Sequence, residues 1–406
     1  MEKNRRATAD MPRPSPVAAG SRPTARLTAA GRPQQTINNQ ATMEKTSDNY
    51  SCLSSQRGRL MGAAMLMVVL FHVGGMRHDT FFYCLSRCGN VGVDVFLYLS
   101  GIGLWFSWGK IMQKRRAAAG NDGTRPAPRN ASGSRGKRLL QAIAGSPYAT
   151  FLRRRYVRVY PAWLIVAAAY YLPRCLDGRA SAADTALSIA VNWGFWQHDE
   201  LTFWFIPAIM ALYTVAPAYI ELIRRHAECR WMPVAAMVLC VLVQYWAPLH
   251  SVVGHLEIFF SRIPIFLIGI NTGLLVEQRR HIGRAGWWML IGMLAVCTLA
   301  CVNFEDGLRG RFPLFLERMV YIPLTVSMAL LMARALAHAP AWAGSVLAFI
   351  GGISLEIYLI HAQFVLLPLQ PLRLGYWLTA LAVVAISAAP AWLLHKGISL
   401  LTRKIA

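Results

Sequence analysis

His72 closes the apolar run MGAAMLMVVLFH, and Asp94 lies just inside the next one, NVGVDVFLYLSGIGLWFS. An ionisable side chain within apolar sequence is costly and by default marks a functional site. Imidazole takes a proton near neutral pH without extreme tuning, and a neighbouring carboxylate fixes its tautomer and steadies the imidazolium that forms. A histidine and an aspartate on two arms of a helical hairpin therefore point to general-base or nucleophilic chemistry. Later apolar runs add Trp204, Glu257, Arg262, Glu356 and His361. As a set these line a polar cavity; singly, each is also explained by a structural hydrogen bond between helices. A second cluster, RRRYVRVYP, runs from Arg153 to Pro161. Arg155 and Arg158 are three apart, so on a helix they share a face and can grip a phosphate, the alternative being a basic anchor at the membrane surface.

The elements that position these residues are membrane helices. Of 406 residues, 55% are hydrophobic and 15% charged, the balance of an all-α polytopic membrane protein and not of an ordinary soluble enzyme. A hydrocarbon core of ~30 Å takes roughly 17 to 25 apolar residues per helix. Ten stretches qualify: 60–76, 91–110, 156–172, 203–223, 231–247, 256–276, 287–303, 317–335, 345–366 and 374–396. An eleventh, 183–196, is short and broken by Asn192, Trp193 and Gly194, and reads as an amphipathic or re-entrant segment.

The net charge of +23 suggests nucleic acid until its location is read. Eighteen of the excess charges lie in residues 1–59 and 110–158. Ten apolar spans exclude a nucleic-acid partner and make the lipid bilayer the surrounding phase. With both termini in the cytoplasm, every strongly basic loop falls inside, whereas a crossing at 183–196 would turn those from Arg224 onward outward. In that topology His72 lies ~18 Å from Leu60, near the outer boundary. Asp94 matches its depth, so a His72–Asp94 contact is expected.

Residues 1–59, rich in Pro, Ser, Thr, Gln and Asn, read as a disordered basic tail, and 113–146 as a flexible basic cytoplasmic loop flanked by the transmembrane domain of 60–400. MEKN at Met1 is echoed by MEKT at Met43, which leaves two possible starts. The eight cysteines show no zinc-type spacing with histidine, and no metal site is expected.

Six segments in order resemble the integral membrane acyltransferase 3 family, the membrane O-acyltransferases of bacterial surface glycans. They are MGAAMLMVVLFH, NVGVDVFLYLSGIGLWFS, RRRYVRVYP, FWFIPAIMALYTVAP, SRIPIFLIGINTG and ISLEIYLIH, from residue 60 to about 365. The resemblance implies a ten-helix domain in the bacterial cytoplasmic membrane, an acyl-CoA donor, usually acetyl-CoA, and an extracytoplasmic acceptor hydroxyl on a glycan or lipid-linked saccharide. Carried over by motif, His72 is the catalytic histidine, with Asp94 as its companion from the hairpin reading, and Arg155 and Arg158 are the pair near the CoA phosphates. Trp204, Tyr213, Arg262, Glu356 and His361 are then candidates to hold the acceptor. The family pattern places an arginine eleven positions before the histidine, where this chain has Met61. Arg57 lies roughly 60° from the His72 face of the helix and Arg59 roughly 220°, so Arg57 is the better substitute. The alternative function is a transporter or flippase of a lipid-linked saccharide, which inverted repeats or paired broken helices would favour.

Overall fold

The computed structural model describes residues 48–74, 81–121, 145–198, 200–306 and 311–403. Among these the regular elements are helices, with a lone bridge between Asn49 and His281 outside them. The main ones are α1 (Arg57–Val73), α2 (Val91–Asn121), α3 (Pro147–Leu176), α4 (Ala182–Val191), α5 (Phe205–Arg225), α6 (Met232–Tyr245), α7 (Ile263–Glu277), α8 (Arg284–Asp306), α9 (Leu314–Ala337), α10 (Ala341–Gly352), α11 (Ser354–Ile360) and α12 (Tyr376–Thr402).

A helix occupies each of the ten stretches expected to span. Among the described residues seven helices are long and apolar enough to cross a membrane, or eight when the bent pair Ala247–Phe260 and Ile263–Glu277 counts as one. Of the other stretches, α1 has 17 residues and α3 carries Arg153, Arg154, Arg155 and Arg158 in its first turns. The segment from 183 does not cross: α4 has ten residues, ~15 Å of rise, and stops at Asn192, which takes a left-handed conformation. Asn192 is fully buried there, accepting from the Tyr171 hydroxyl at 2.9 Å and donating to the Thr202 carbonyl at 3.0 Å.

The tail boundary at 59 is corrected. From Asp48 onward the chain is built into the fold: Ile282 N–H donates to the Asp48 carbonyl, Tyr50 N–H to that of Arg280, and Arg334 pairs with the Asp48 carboxylate at 3.1 Å. The rest of the expected tail, Met43 included, lies outside the described residues. The loop expected over 113–146 also shortens, since α2 continues to Asn121 and Ser146 caps α3, its hydroxyl accepting from Ala149 N–H at 3.1 Å. The stretch 122–144 lies outside the described residues.

α2 is the axis of the bundle, packed by α1, α3, α5, α7 and α9 and buried on nearly every side. That burial is why its sequence is apolar all round, without a polar face. Close crossings use glycine. A Cβ on Gly269 of α7 would sit 2.3 Å from the Tyr98 carbonyl oxygen of α2, and one on Gly62 of α1 would sit 2.0 Å from that of Leu347 on α10. Both glycines belong to a Gly-x-x-x-Gly pair, Gly58 with Gly62 and Gly269 with Gly273, the spacing that lets helix backbones meet in lipid. The outward faces of α6, α8 and α12 expose Val238, Trp288, Val296, Leu381 and Leu393. Such a continuous apolar surface suits a lipid environment.

Three irregularities place functional groups. α1 ends at Gly74, whose φ of +48° is left-handed, two residues after His72. Between Phe260 and Ile263 the chain bends by 43°, with Arg262 at the break. After Ile360, α11 widens into a π-helical segment over His361–Leu366. Widened turns of this kind re-aim side chains and recur at functional sites.

Candidate active site

Two histidines meet where α1 ends and α11 widens. His361 Nε2 lies 3.4 Å from His72 Nδ1, and the ring centroids are 5.0 Å apart. His72 Nδ1 is 2.8 Å from the Val68 carbonyl, and His361 Nδ1 is 3.0 and 2.9 Å from those of Ile357 and Tyr358. A carbonyl only accepts, so in each neutral ring Nδ1 carries the hydrogen. His361 Nε2 then offers a lone pair to the His72 Nδ1–H. His72 Nε2 has the lone pair of a base or nucleophile, and no described group hydrogen-bonds it. His361 is buried at 1% exposure, while His72 is exposed.

The companion of His72 is therefore His361, which corrects the expected contact with Asp94. Asp94 instead faces Arg262, Oδ1 to Nε at 3.2 Å, with both side chains sealed from solvent. α2 packs on α1 with Gly89 against Met67 and Gly92 against Ala64, which sets Asp94 turns away from His72; the break before Ile263 delivers a guanidinium there, and a carboxylate in a dry interior is held by a full positive charge. Trp204 and Tyr321 close over Arg262, their ring centroids 5.9 and 5.7 Å from its guanidinium carbon. Glu257 is likewise paired, with Arg318. Asp94, Arg262 and Trp204 thus form a packed unit outside the cavity described next.

That cavity, of about 300 Å³, is lined by the arginine cluster and by residues that support the histidines, though neither histidine lines it. Arg57, Arg154, Arg155 and Arg158 line one end, Met61, Ser100 and Tyr213 its middle, and Val68, Phe205 and Tyr358 the other end. Val68 and Tyr358 supply the carbonyls that hold His72 and His361, so the histidine pair sits directly behind the cavity's far wall. The wall itself is aromatic: Phe205 N–H donates to the Tyr358 hydroxyl at 3.3 Å, and the two rings are 5.3 Å apart.

Of the two arginines considered for the place of Met61, Arg57 points into the cavity and donates to the Leu99 carbonyl at 3.4 Å. Arg59 turns away, donating to the Leu336 carbonyl at 2.8 Å and to Gln56 at 3.0 Å. Arg155 and Arg158 both line the cavity, as their three-residue spacing requires. Tyr213 and Glu356 also line it, on the arginine side of the histidines and not beside them as an acceptor-holding set.

One participant escaped the sequence reading. His395 of α12 lines the cavity and contacts Glu356, Nδ1 to Oε1 at 2.8 Å. It lies inside the apolar stretch 374–396 and meets the criterion that singled out the other ionisable residues.

These features define a polytopic helical membrane protein with an arginine-lined cavity and a histidine pair behind one of its walls. Residues 62–396 match the model of the acyltransferase 3 family, described as an acyltransferase domain, and the chain belongs to that family. It is a multi-pass membrane acyltransferase. No curated protein and no solved structure matches it.

Proposed function

We propose that this enzyme carries an acyl group, acetyl foremost, from cytoplasmic acyl-CoA to a hydroxyl of a saccharide on the far side of the bacterial inner membrane. The acceptor is a cell-surface glycan or its lipid-linked precursor. The observation that carries the reading is the single cavity running from Arg57, Arg155 and Arg158 to the backbone that holds His72 and His361. CoA is a polyanion with a long, thin pantetheine arm. Arginines at the mouth suit its phosphates and a narrow apolar interior suits the arm, which brings the thioester toward the histidines.

A thioester is already activated, so the enzyme's task is to orient it and to remove the proton from a weakly acidic hydroxyl. His72 Nε2 accepts that proton as the hydroxyl oxygen bonds to the thioester carbonyl carbon; the C–S bond breaks, and the proton passes to the departing sulfur. His361 acts through His72 as a positioning residue, its Nε2 receiving the Nδ1–H and steadying the imidazolium. A relay uses the same atoms: His72 Nε2 attacks the thioester first, CoA leaves, and the acyl-imidazole gives its acyl group to the hydroxyl. Family membership favours transfer over transport.

The test is the acyl content of the surface polysaccharide, by mass or NMR, in a deletion strain carrying native protein, His72→Ala or nothing. Acylation is expected only with native protein. Unchanged acylation in the deletion strain overturns the function, and restoration by His72→Ala overturns the assignment of the base.

A further inference from the structure

The histidine pair supplies a base but no donor for the carbonyl it works on. The Nδ1–H of His72 and that of His361 both go to backbone carbonyls, and the other ring nitrogens carry lone pairs. Attack on a thioester carbonyl carbon moves an electron pair onto the carbonyl oxygen, where a preorganised hydrogen-bond donor is usually the largest single aid to the reaction. The arginines stand at the other end of the cavity. A donor at the histidine end has to be a neutral group.

Of the hydroxyls that line the cavity, those of Ser354, Ser399 and Thr402 donate to carbonyls of their own local backbone, at 3.0, 2.8 and 2.8 Å. Ser100 and Tyr213 stand in its middle. Tyr358 is at the histidine end: its hydroxyl accepts the Phe205 N–H at 3.3 Å, and no acceptor among the described residues takes its own hydrogen. Tyr358 also touches the pair it would serve. Its carbonyl holds His361 Nδ1 at 2.9 Å, and its ring centroid is 6.0 Å from that of His361, which in turn is 5.0 Å from that of His72. Phe205 opens the 21-residue helix α5, so its N–H has no partner within the helix, and Trp204 before it provides no side-chain cap. The positive end of the helix dipole therefore bears on the Tyr358 hydroxyl oxygen, and an N–H donated to that oxygen makes the O–H a stronger donor. Both favour negative charge gathering just beyond the hydroxyl.

We propose that the Tyr358 hydroxyl is the oxyanion donor of acyl transfer, bonding the thioester carbonyl oxygen as the tetrahedral intermediate forms. The inference rests on the acyl-transfer reading and adds a catalytic group to it. The attacking oxygen, or His72 Nε2 in the relay, forms its bond to the carbonyl carbon, and the C=O π pair moves onto the oxygen. That pair returns as the C–S bond breaks and its electrons leave with sulfur. Tyr358 keeps its hydrogen throughout, and proton transfer stays with His72.

The experiment uses full-length protein in phospholipid nanodiscs with acetyl-CoA isotope-labelled at the thioester carbonyl, whose stretch is read by difference infrared spectroscopy. A hydrogen bond lowers that stretch. The band of bound acetyl-CoA is expected below that of free acetyl-CoA in native protein and back at the free position in Tyr358→Phe, which keeps the ring packed on Phe205. Replacing Tyr358 with 3-fluorotyrosine, a stronger donor of nearly the same shape, is expected to lower the band further. With methyl glucoside as acceptor, Tyr358→Phe should lower kcat by ~10²- to 10³-fold while KM for acetyl-CoA stays unchanged. The same band in native protein and Tyr358→Phe, or a raised KM with native kcat, overturns the assignment. Should Tyr358→Phe fail to fold, an unmoved band in the fluorotyrosine protein overturns it equally, and if native protein does not turn over methyl glucoside the band alone decides. Native protein that binds acetyl-CoA with an unshifted band removes Tyr358 and spares the donor side. Failure to bind acetyl-CoA overturns the acyl-transfer reading, and this inference with it.

Discussion

His361 holds its Nε2 3.4 Å from Nδ1 of His72, and each ring donates its Nδ1–H to the backbone one turn before it. The two residues are 289 positions apart in sequence, so the contact exists only because α1 ends and α11 widens at the same place. A neutral imidazole held this way keeps one tautomer: the hydrogen stays on Nδ1 and the lone pair on Nε2.

If His361 steadies the imidazolium, removing it costs one charge-assisted hydrogen bond, worth ~1.5 to 3 kcal/mol. His361→Ala is expected to lower kcat roughly 10- to 100-fold while KM for acyl-CoA stays constant. His361→Asn, which keeps a polar acceptor, should recover part of the loss. Steady-state kinetics on reconstituted protein decides; an unchanged kcat in His361→Ala would remove His361 from the account.

Asp94 and Arg262 are predicted to matter for stability and not for the chemistry. Stranding one charge of a sealed ion pair costs ~3 to 5 kcal/mol, whereas replacing both with apolar residues is far milder. Asp94→Ala should lower the unfolding temperature sharply, and Asp94→Leu combined with Arg262→Met should restore much of it, with acyl transfer retained. Loss of transfer in a stable double variant would return the pair to the active site.

Arg57→Ala is expected to raise KM for acyl-CoA by roughly tenfold, the worth of one charge-assisted contact, with Arg59→Ala close to native. Arg59 spends its hydrogen bonds on Leu336 and Gln56, and Gly344 packs against its guanidinium. Equal effects of the two substitutions on KM would show that the cavity mouth is misassigned.

Glycine substitutions should divide by helix. At Gly62 and Gly351 a Cβ would meet a backbone carbonyl oxygen at 2.0 Å, so alanine must force α1 and α10 apart. Gly292 of α8 and Gly397 of α12 have nothing within 4 Å of such a Cβ. Alanine is expected to abolish folded protein at the first two, overpacking costing ~1 to 3 kcal/mol or more, and to be neutral or stabilising at the last two. Thermal unfolding with size-exclusion profiles reads the difference.

The sequence exposed the architecture because membrane helices declare themselves: apolar length and the placement of Lys and Arg locate a helix in each of the ten stretches. It also singled out His72, Asp94, Arg262, Glu356 and His361, because a charge or imidazole in apolar sequence is conspicuous at any position. Their pairing was not legible. Counting from the span ends placed Asp94 opposite His72, but which residues meet depends on helix register, on rotation about the axis and on local breaks: α2 sets Gly92 against Ala64, the bend brings Arg262 to Asp94, and the widened turn begins at His361 beside His72. Arg57 was legible because an angle on a single helix needs no neighbour. His395 was overlooked beside the basic end of its span, although it obeys the same rule.

The central claim is that His72 serves an acyl group delivered through the arginine-lined cavity. Proteoliposomes sorted for one orientation test it most directly, with radiolabelled acetyl-CoA on the face of Arg155 and Arg158 and a saccharide acceptor on the face of His72. Native protein is predicted to label the acceptor across the bilayer, and His72→Ala to lower the rate by ~10²- to 10⁴-fold with acetyl-CoA binding intact. Equal labelling by the two proteins, or labelling only when donor and acceptor share a face, would contradict it.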